Sequence, residues 1–158
     1  MKKAIMNKWV KALRSGKYKQ CKEDLCQVDD KGNLSYCCLG VLTQLYINER
    51  KRQKKGNNIK GFVHMGNYEE IYGYSPDIKN TVATPAWYIN EETGLLPDVV
   101  AKWAGFDMHR PGWSTGSIHG FHEDKNLSTM NDGYAVAYLK PKSFKQIANI
   151  IKNNYTNI

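Results

Sequence analysis

Two adjacent thiols, Cys37 and Cys38, precede Leu39 and Gly40 where an extended pattern gives way to a helical one. A cysteine at the start of a helix sits among backbone N–H groups that favour negative charge, which lowers a thiol pKa and creates a nucleophile. Cys38 or Cys37 would then attack in a cysteine-dependent hydrolase or transferase. The base would come from His64, His109, His119 or His122, oriented by Asn131 or Asp132. The same pair also reads as two small apolar side chains packed beneath Gly40, because free cysteines are among the most buried residue types.

A second kind of chemistry is recognition. Gln20 and the Asn131-Asp132 pair carry amide and carboxylate groups suited to the hydrogen-bonding edge of a base or to a ribose, and Tyr18 and Trp9 supply rings for stacking. Asn131-Asp132 can equally cap a chain reversal. Arg50, Lys51, Arg52, Lys54 and Lys55 form a basic run, extended by Lys60, with no carboxylate between Arg50 and Lys60. It reads as a solvated helix end or as a patch for phosphates.

No metal site is expected. The C-x4-C spacing of Cys21 and Cys26 and the adjacent Cys37-Cys38 are not those of common zinc modules, and His119 and His122 lie on a Gly-rich stretch without a helical frame. No phosphate-binding glycine loop, dinucleotide fingerprint or G-x-S-x-G elbow is present, so no cofactor is expected. No groove-reading motif surrounds the basic run, so nucleic acid remains a possible partner only through its phosphates.

These residues must be positioned by a chain of 158 residues with 41% apolar content, four Trp, ten Tyr and four Phe. That is enough for one domain, residues 1–158, with a real core and no need of disulfides. The net charge of +8 and pI near 9.3 favour an anionic partner. No segment approaches the roughly 20 apolar residues that cross a bilayer, and the start lacks a signal-peptide pattern. A cytoplasmic location with reduced thiols and no membrane partner is expected.

Ile5, Trp9 and Leu13 recur four apart, predicting a helix over Lys3 to Arg14 that Ser15-Gly16 stops. Tyr18 to Val28 and Leu34 to Cys37, separated by a turn cluster from Asp29 to Asn33, predict a hairpin. From Cys38, Leu39, Leu42, Leu45 and Tyr46 mark a central helix broken by Gly56-Asn57-Asn58. The stretch to Tyr88 reads as long loops with short strands. Leu96-Pro97-Asp98 opens a short helix through Trp103 that Gly105 closes.

Asp107 to Asp124 reads as loop, Asn126 to Asp132 as a helical turn, and Tyr134 to Leu139 as a strand. Ser143 and Gln146 have capping-box spacing before a last helix from Phe144 to about Asn153, burying Phe144, Ile147, Ala148 and Ile151. The expected fold class is α+β: helices packed on a small, mainly antiparallel sheet, with two loop-rich insertions.

Four blocks in this order resemble a family of small uncharacterised phage and prophage proteins. They are Trp9 to Gln20 (W-x-x-A-L-R-S-G-x-Y-x-Q), Cys37 to Leu42 (C-C-L-G-V-L), Leu96 to Gly105, a leucine-proline helix ending W-A-G, and Asn131-Asp132 with Ser143 to Ile151 (N-D-x-G-x-S-F-x-x-I-A-x-I-I). The chain departs from that pattern in having Cys21 where the family more often has glycine. It also carries an insert from Tyr134 to Lys142 between Asn131-Asp132-Gly133 and Ser143-Phe144. The resemblance implies a phage setting, hence the cytoplasm of an infected bacterial host, and no particular reaction.

Small size, positive charge and many aromatic rings then suggest an accessory protein that acts by binding. The leading expectation is a counter-defence protein that sequesters a nucleotide signal or another anionic ligand, or that blocks a host defence protein. The alternatives are the cysteine-dependent enzyme and non-specific nucleic-acid binding. The oligomeric state is not encoded in any pattern here.

Overall fold

A computed structural model describes residues 1–29, 31–52, 88–89, 92–93, 95–118, 126–133 and 139–158. The expected break at Gly56-Asn57-Asn58 and the expected strand residues Tyr134 to Tyr138 lie outside them, as do His64, His119, His122, Lys54 and Lys55. Helix α1 spans Lys3–Arg14, and its buried residues, Ile5, Met6, Trp9, Val10, Ala12 and Leu13, form one stripe. It packs along the last helix, α5 (Phe144–Asn154), which buries Phe144, Ile147, Ala148 and Ile151 in return. The two run antiparallel: the Met1 amine donates to the Tyr155 and Ile158 carbonyls, and Arg14 reaches Asn149.

Three short strands follow α1 in the chain: β1 (Lys19–Gln20), β2 (Cys26–Val28) and β3 (Leu34–Tyr36), arranged β1-β3-β2. Strands β2 and β3 make the expected antiparallel hairpin, with Cys26 opposite Tyr36. Asp29 closes its turn by accepting from the Lys31 and Asn33 backbone N–H groups at 3.0 and 2.8 Å. Strand β1 instead joins β3 in parallel, Gln20 opposite Tyr36, which makes the sheet mixed rather than mainly antiparallel. Parallel strands need a crossover of about a dozen residues or more, and the chain between β1 and β3, which includes β2, supplies it. A further two-stranded pair, β4 (Tyr88–Ile89) with β5 (Glu92–Thr93), is antiparallel.

Helix α2, Cys38–Arg52, occupies the centre. All residues from Cys38 to Thr43 are buried, as are Tyr46 and Ile47, so its first turns have no solvent face. Thr43 satisfies its buried hydroxyl by donating back to the Leu39 carbonyl at 3.0 Å. Gly40 sits where backbone meets backbone: a β-carbon there would lie 1.6 Å from the Leu25 carbonyl oxygen. Only glycine lets α2 dock this closely beside the start of β2.

Around α2 pack α1, α3 (Asp98–Ala104) and α4 (Leu127–Asp132). Gly105 ends α3 in the left-handed conformation expected of a helix terminus, at φ 76°. The stretch after it is less irregular than its sequence implies, since a 3-10 turn spans Trp113–Thr115. Asn126 caps α4 by accepting from the Thr129 N–H at 2.7 Å. Both halves of the Ser143–Gln146 capping box form at α5. The architecture is α+β, with five α-helices and a small mixed sheet among the described residues.

Candidate functional site

Gln20 closes β1, Cys37 and Cys38 lead from β3 into α2, and Asn131 lies near the end of α4. The fold brings the three together. Gln20 Nε2 donates to Asn131 Oδ1 and to the Lys142 carbonyl, both at 2.9 Å, while Gln20 Oε1 accepts from the Phe144 N–H at 3.1 Å. Asn131 Oδ1 also accepts from the Cys38 N–H at 3.2 Å. Asn131 Nδ2 donates to the Cys21 carbonyl at 2.8 Å and to Asp132 Oδ1 at 2.7 Å.

These bonds fix the role of the two amides. Phe144 and Cys38 begin α5 and α2, and the first N–H groups of a helix have no partner within it. Gln20 and Asn131 supply those partners, and each amide nitrogen spends both its hydrogens inside the protein. Asn131 is 1% exposed. These side chains therefore act as a cross-brace that holds β1, α2, α4 and α5 in register.

Beside the brace lies a cavity of about 280 Å³ lined by Gln20, Cys21, Lys22, Asn131, Pro141, Lys142 and Ser143. Of its two lysines, Lys22 is exposed and Lys142 half-buried. Sequence reasoning missed Lys22, Pro141, Lys142 and Ser143 as lining residues. Ser143 opens the last recognisable block and Lys22 lies two residues beyond the first, which was the available signal; Lys142 is held there by the Gln20 hydrogen bond to its carbonyl and by its own N–H, which donates to the Met130 carbonyl at 2.7 Å.

The thiols have the opposite character to a nucleophile. Cys37 is buried and its pKa is pushed up to about 12, chiefly by desolvation. Cys38 is fully buried and raised well above the ordinary thiol value, again by desolvation first and then by Cys37. Its Sγ lies 3.4 Å from the Leu127 carbonyl, where a protonated thiol can donate. Burial overrides the helix terminus that would favour a thiolate. The nucleophilic reading of Cys38 and Cys37 is therefore corrected to packing. His109, the one described histidine, is exposed on the loop after α3.

Trp9 is also corrected. It is fully buried, and its Nε1 donates to the Cys38 carbonyl at 2.9 Å, so its ring belongs to the core and cannot stack on a ligand. Tyr18 is half-buried and meets Tyr36 edge to face at 5.4 Å between ring centres. Asp132 is half-buried next to Asn131.

The described part of the basic run does not form a patch with the cavity. Arg50 is half-buried with its guanidinium 6.0 Å from the Tyr46 ring centre, and Arg52 is exposed at the end of α2. Lys51 lies on the same helix, and its side chain is outside the described set.

Among the described residues, no group of three or more His, Cys, Asp or Glu side chains is placed to hold a metal ion, and no helix is long and apolar enough to cross a membrane. A family model described as a domain of unknown function (DUF8296) matches residues 1–155, nearly the whole chain. An uncharacterised family, expected from the motif blocks, is thereby shown. No curated protein and no solved structure matches the chain.

Proposed function

We propose, from the premise that the chain belongs to the DUF8296 family, that it acts by binding, with a small phosphate-bearing ligand held in the cavity between β1, α4 and the start of α5. The carrying observation is that cavity, with Lys22 and Lys142 in its lining and the Gln20–Asn131 brace as its floor. A volume of about 280 Å³ is at the low end of ligand pockets, so it suits a phosphate or ribose-phosphate portion, with the rest of a nucleotide extending outward. Lys22 and Lys142 supply point charges for phosphate oxygens, and the Ser143 hydroxyl borders the same space.

The setting we attach to this activity is a phage-encoded accessory protein in the cytoplasm of an infected bacterium. There it would take up a nucleotide signal of a host defence system or block a host factor. Small size and a net charge of +8 support that reading, and the deep burial of Cys37 and Cys38 favours binding over covalent catalysis.

Thermal shift and calorimetry with a panel of mono-, cyclic and ADP-ribose-type nucleotides test the binding claim. At least one should stabilise the protein, and Lys22→Ala with Lys142→Ala should weaken it by about 10-fold or more, since a hydrogen bond to a charged group contributes roughly 1.5–3 kcal/mol. A flat response to the whole panel, or unchanged affinity in the double variant, would remove the proposal. Loss of protection of phage in defended hosts with the same variant tests the setting.

A further inference from the structure

The basic charge of this protein is not spread evenly. Residues 1–22 hold eight Lys or Arg and no Asp or Glu, and residues 133–158 hold four and none. The intervening residues 23–132 hold the other eleven basic residues and all fifteen acidic ones, a balance of −4. The two terminal segments thus carry +12 of side-chain charge, and the fold packs them together as the antiparallel pair α1 and α5.

Their outward faces form one surface. On α1 the exposed residues Lys3, Asn7, Lys11 and Arg14 recur at helical spacing, and on α5 Lys145, Gln146, Asn149, Lys152 and Asn153 do the same. Arg14 donates to Asn149 across the seam. Two cations of the region are engaged elsewhere: Lys8 pairs with Glu49 at 2.5 Å, and Lys2 donates to the Trp103 carbonyl at 2.9 Å. That leaves Lys3, Lys11, Arg14, Lys145 and Lys152 interleaved with amides over a face about 18 Å long, from roughly 1.5 Å of rise per residue.

We infer that this face binds the phosphate backbone of a nucleic-acid duplex, without reading its sequence. The chemistry separates the alternatives. Membrane-surface helices need an apolar face for the bilayer, whereas α1 and α5 spend theirs on each other and on the core. Protein interfaces are enriched in aromatic residues and depleted in lysine, and this face has lysine and no exposed ring. Single strands are held by aromatic stacking platforms, which are equally missing from this face. Lysines and arginine interleaved with amides, free of carboxylates, match the contacts that position a protein on phosphates and sugars. This surface is separate from the cavity proposed above and does not depend on it.

Fluorescence anisotropy of the full chain with labelled 30-base-pair DNA and RNA duplexes tests the inference. With about four of the five cations on phosphates, log K should fall against log salt with a slope of about −3 to −4, a loss of roughly 60- to 250-fold between 50 and 200 mM. Combining Lys3→Glu, Lys11→Glu, Lys145→Glu and Lys152→Glu should abolish duplex binding at 50 mM salt, and the corresponding Gln set should flatten the slope toward zero. All four substituted positions are exposed, so circular dichroism and melting should match the parent. Lys22→Ala with Lys142→Ala should keep the salt slope within about one unit while losing the cavity ligand, which separates failure here from failure there. Binding to either duplex with the stated slope supports the inference. No duplex binding at 50 mM salt, binding only to anionic vesicles, or full retention by the Gln set overturns it.

Discussion

Removing the Asn131 side chain tests the cross-brace directly. In Asn131→Ala the Cys38 N–H and the Cys21 carbonyl lose their side-chain partner while remaining buried. An unsatisfied buried backbone group costs about 1–3 kcal/mol, so two give roughly 2–6 kcal/mol. At about 2–4 °C per kcal/mol for a chain of this size, the melting temperature should fall by about 6–12 °C for a central loss of 3 kcal/mol. Asn131→Asp sharpens the test because it keeps the shape. One carboxylate oxygen can still accept from Cys38, but the other replaces a donor facing the Cys21 carbonyl and the Asp132 carboxylate at 2.8 and 2.7 Å.

Burial and the neighbouring carboxylate both hold the introduced carboxyl protonated. A folded-state pKa above the unfolded value of about 3.9 gives stability that is present at lower pH and drains away as pH rises. The variant should therefore lie closer to the parent at pH 4 than at pH 7. Urea titrations at both pH values measure this. A parent-like midpoint for Asn131→Ala, or a larger deficit for Asn131→Asp at pH 4 than at pH 7, would refute the reasoning.

Other consequences are as direct. Native thiols at pH 7.5 should resist alkylation for hours and all four should react in urea; rapid labelling of Cys38 in the native protein would restore the enzyme reading. Cys21 and Cys37 are both pushed up to about 12 by burial from an ordinary value of 9.0, so their contribution to stability is complete below about pH 9 and is lost as pH rises toward 12. Denaturation midpoints should fall across that window, and a flat profile would contradict it. Gly40→Ala should cost at least about 3 kcal/mol or prevent folding, given the backbone oxygen in its way, as read by melting temperature. Ser143→Ala, which removes the α5 cap, should cost about 1 kcal/mol by the same measurement.

What was legible in the sequence was local. The α1 stripe, the Gly105 stop of α3 and the Ser143–Gln146 box depend on spacings of three or four residues, and each formed where the spacing placed it. The parallel β1–β3 pairing was not legible, because turn chemistry reports only which neighbours fold back on each other. Trp9 looked available for stacking, since nothing in its block reveals that its indole N–H meets a carbonyl 29 residues away. Gln20 and Asn131 stood out as polar residues inside the recognisable blocks, but their partners lie across the fold. A side chain that caps a helix at a distance is indistinguishable in sequence from one that awaits a ligand.

The brace also has a bearing on time. Its hydrogen bonds join positions 93 to 124 residues apart, so none can form until the chain's two ends and its middle have already met. Contacts closed after the folding barrier govern escape from the native state and leave the approach to it almost untouched. Stopped-flow traces of Asn131→Ala should accordingly show a steep gain in unfolding rate beside a nearly parental refolding arm, making this pair of amides the latch on the protein's lifetime.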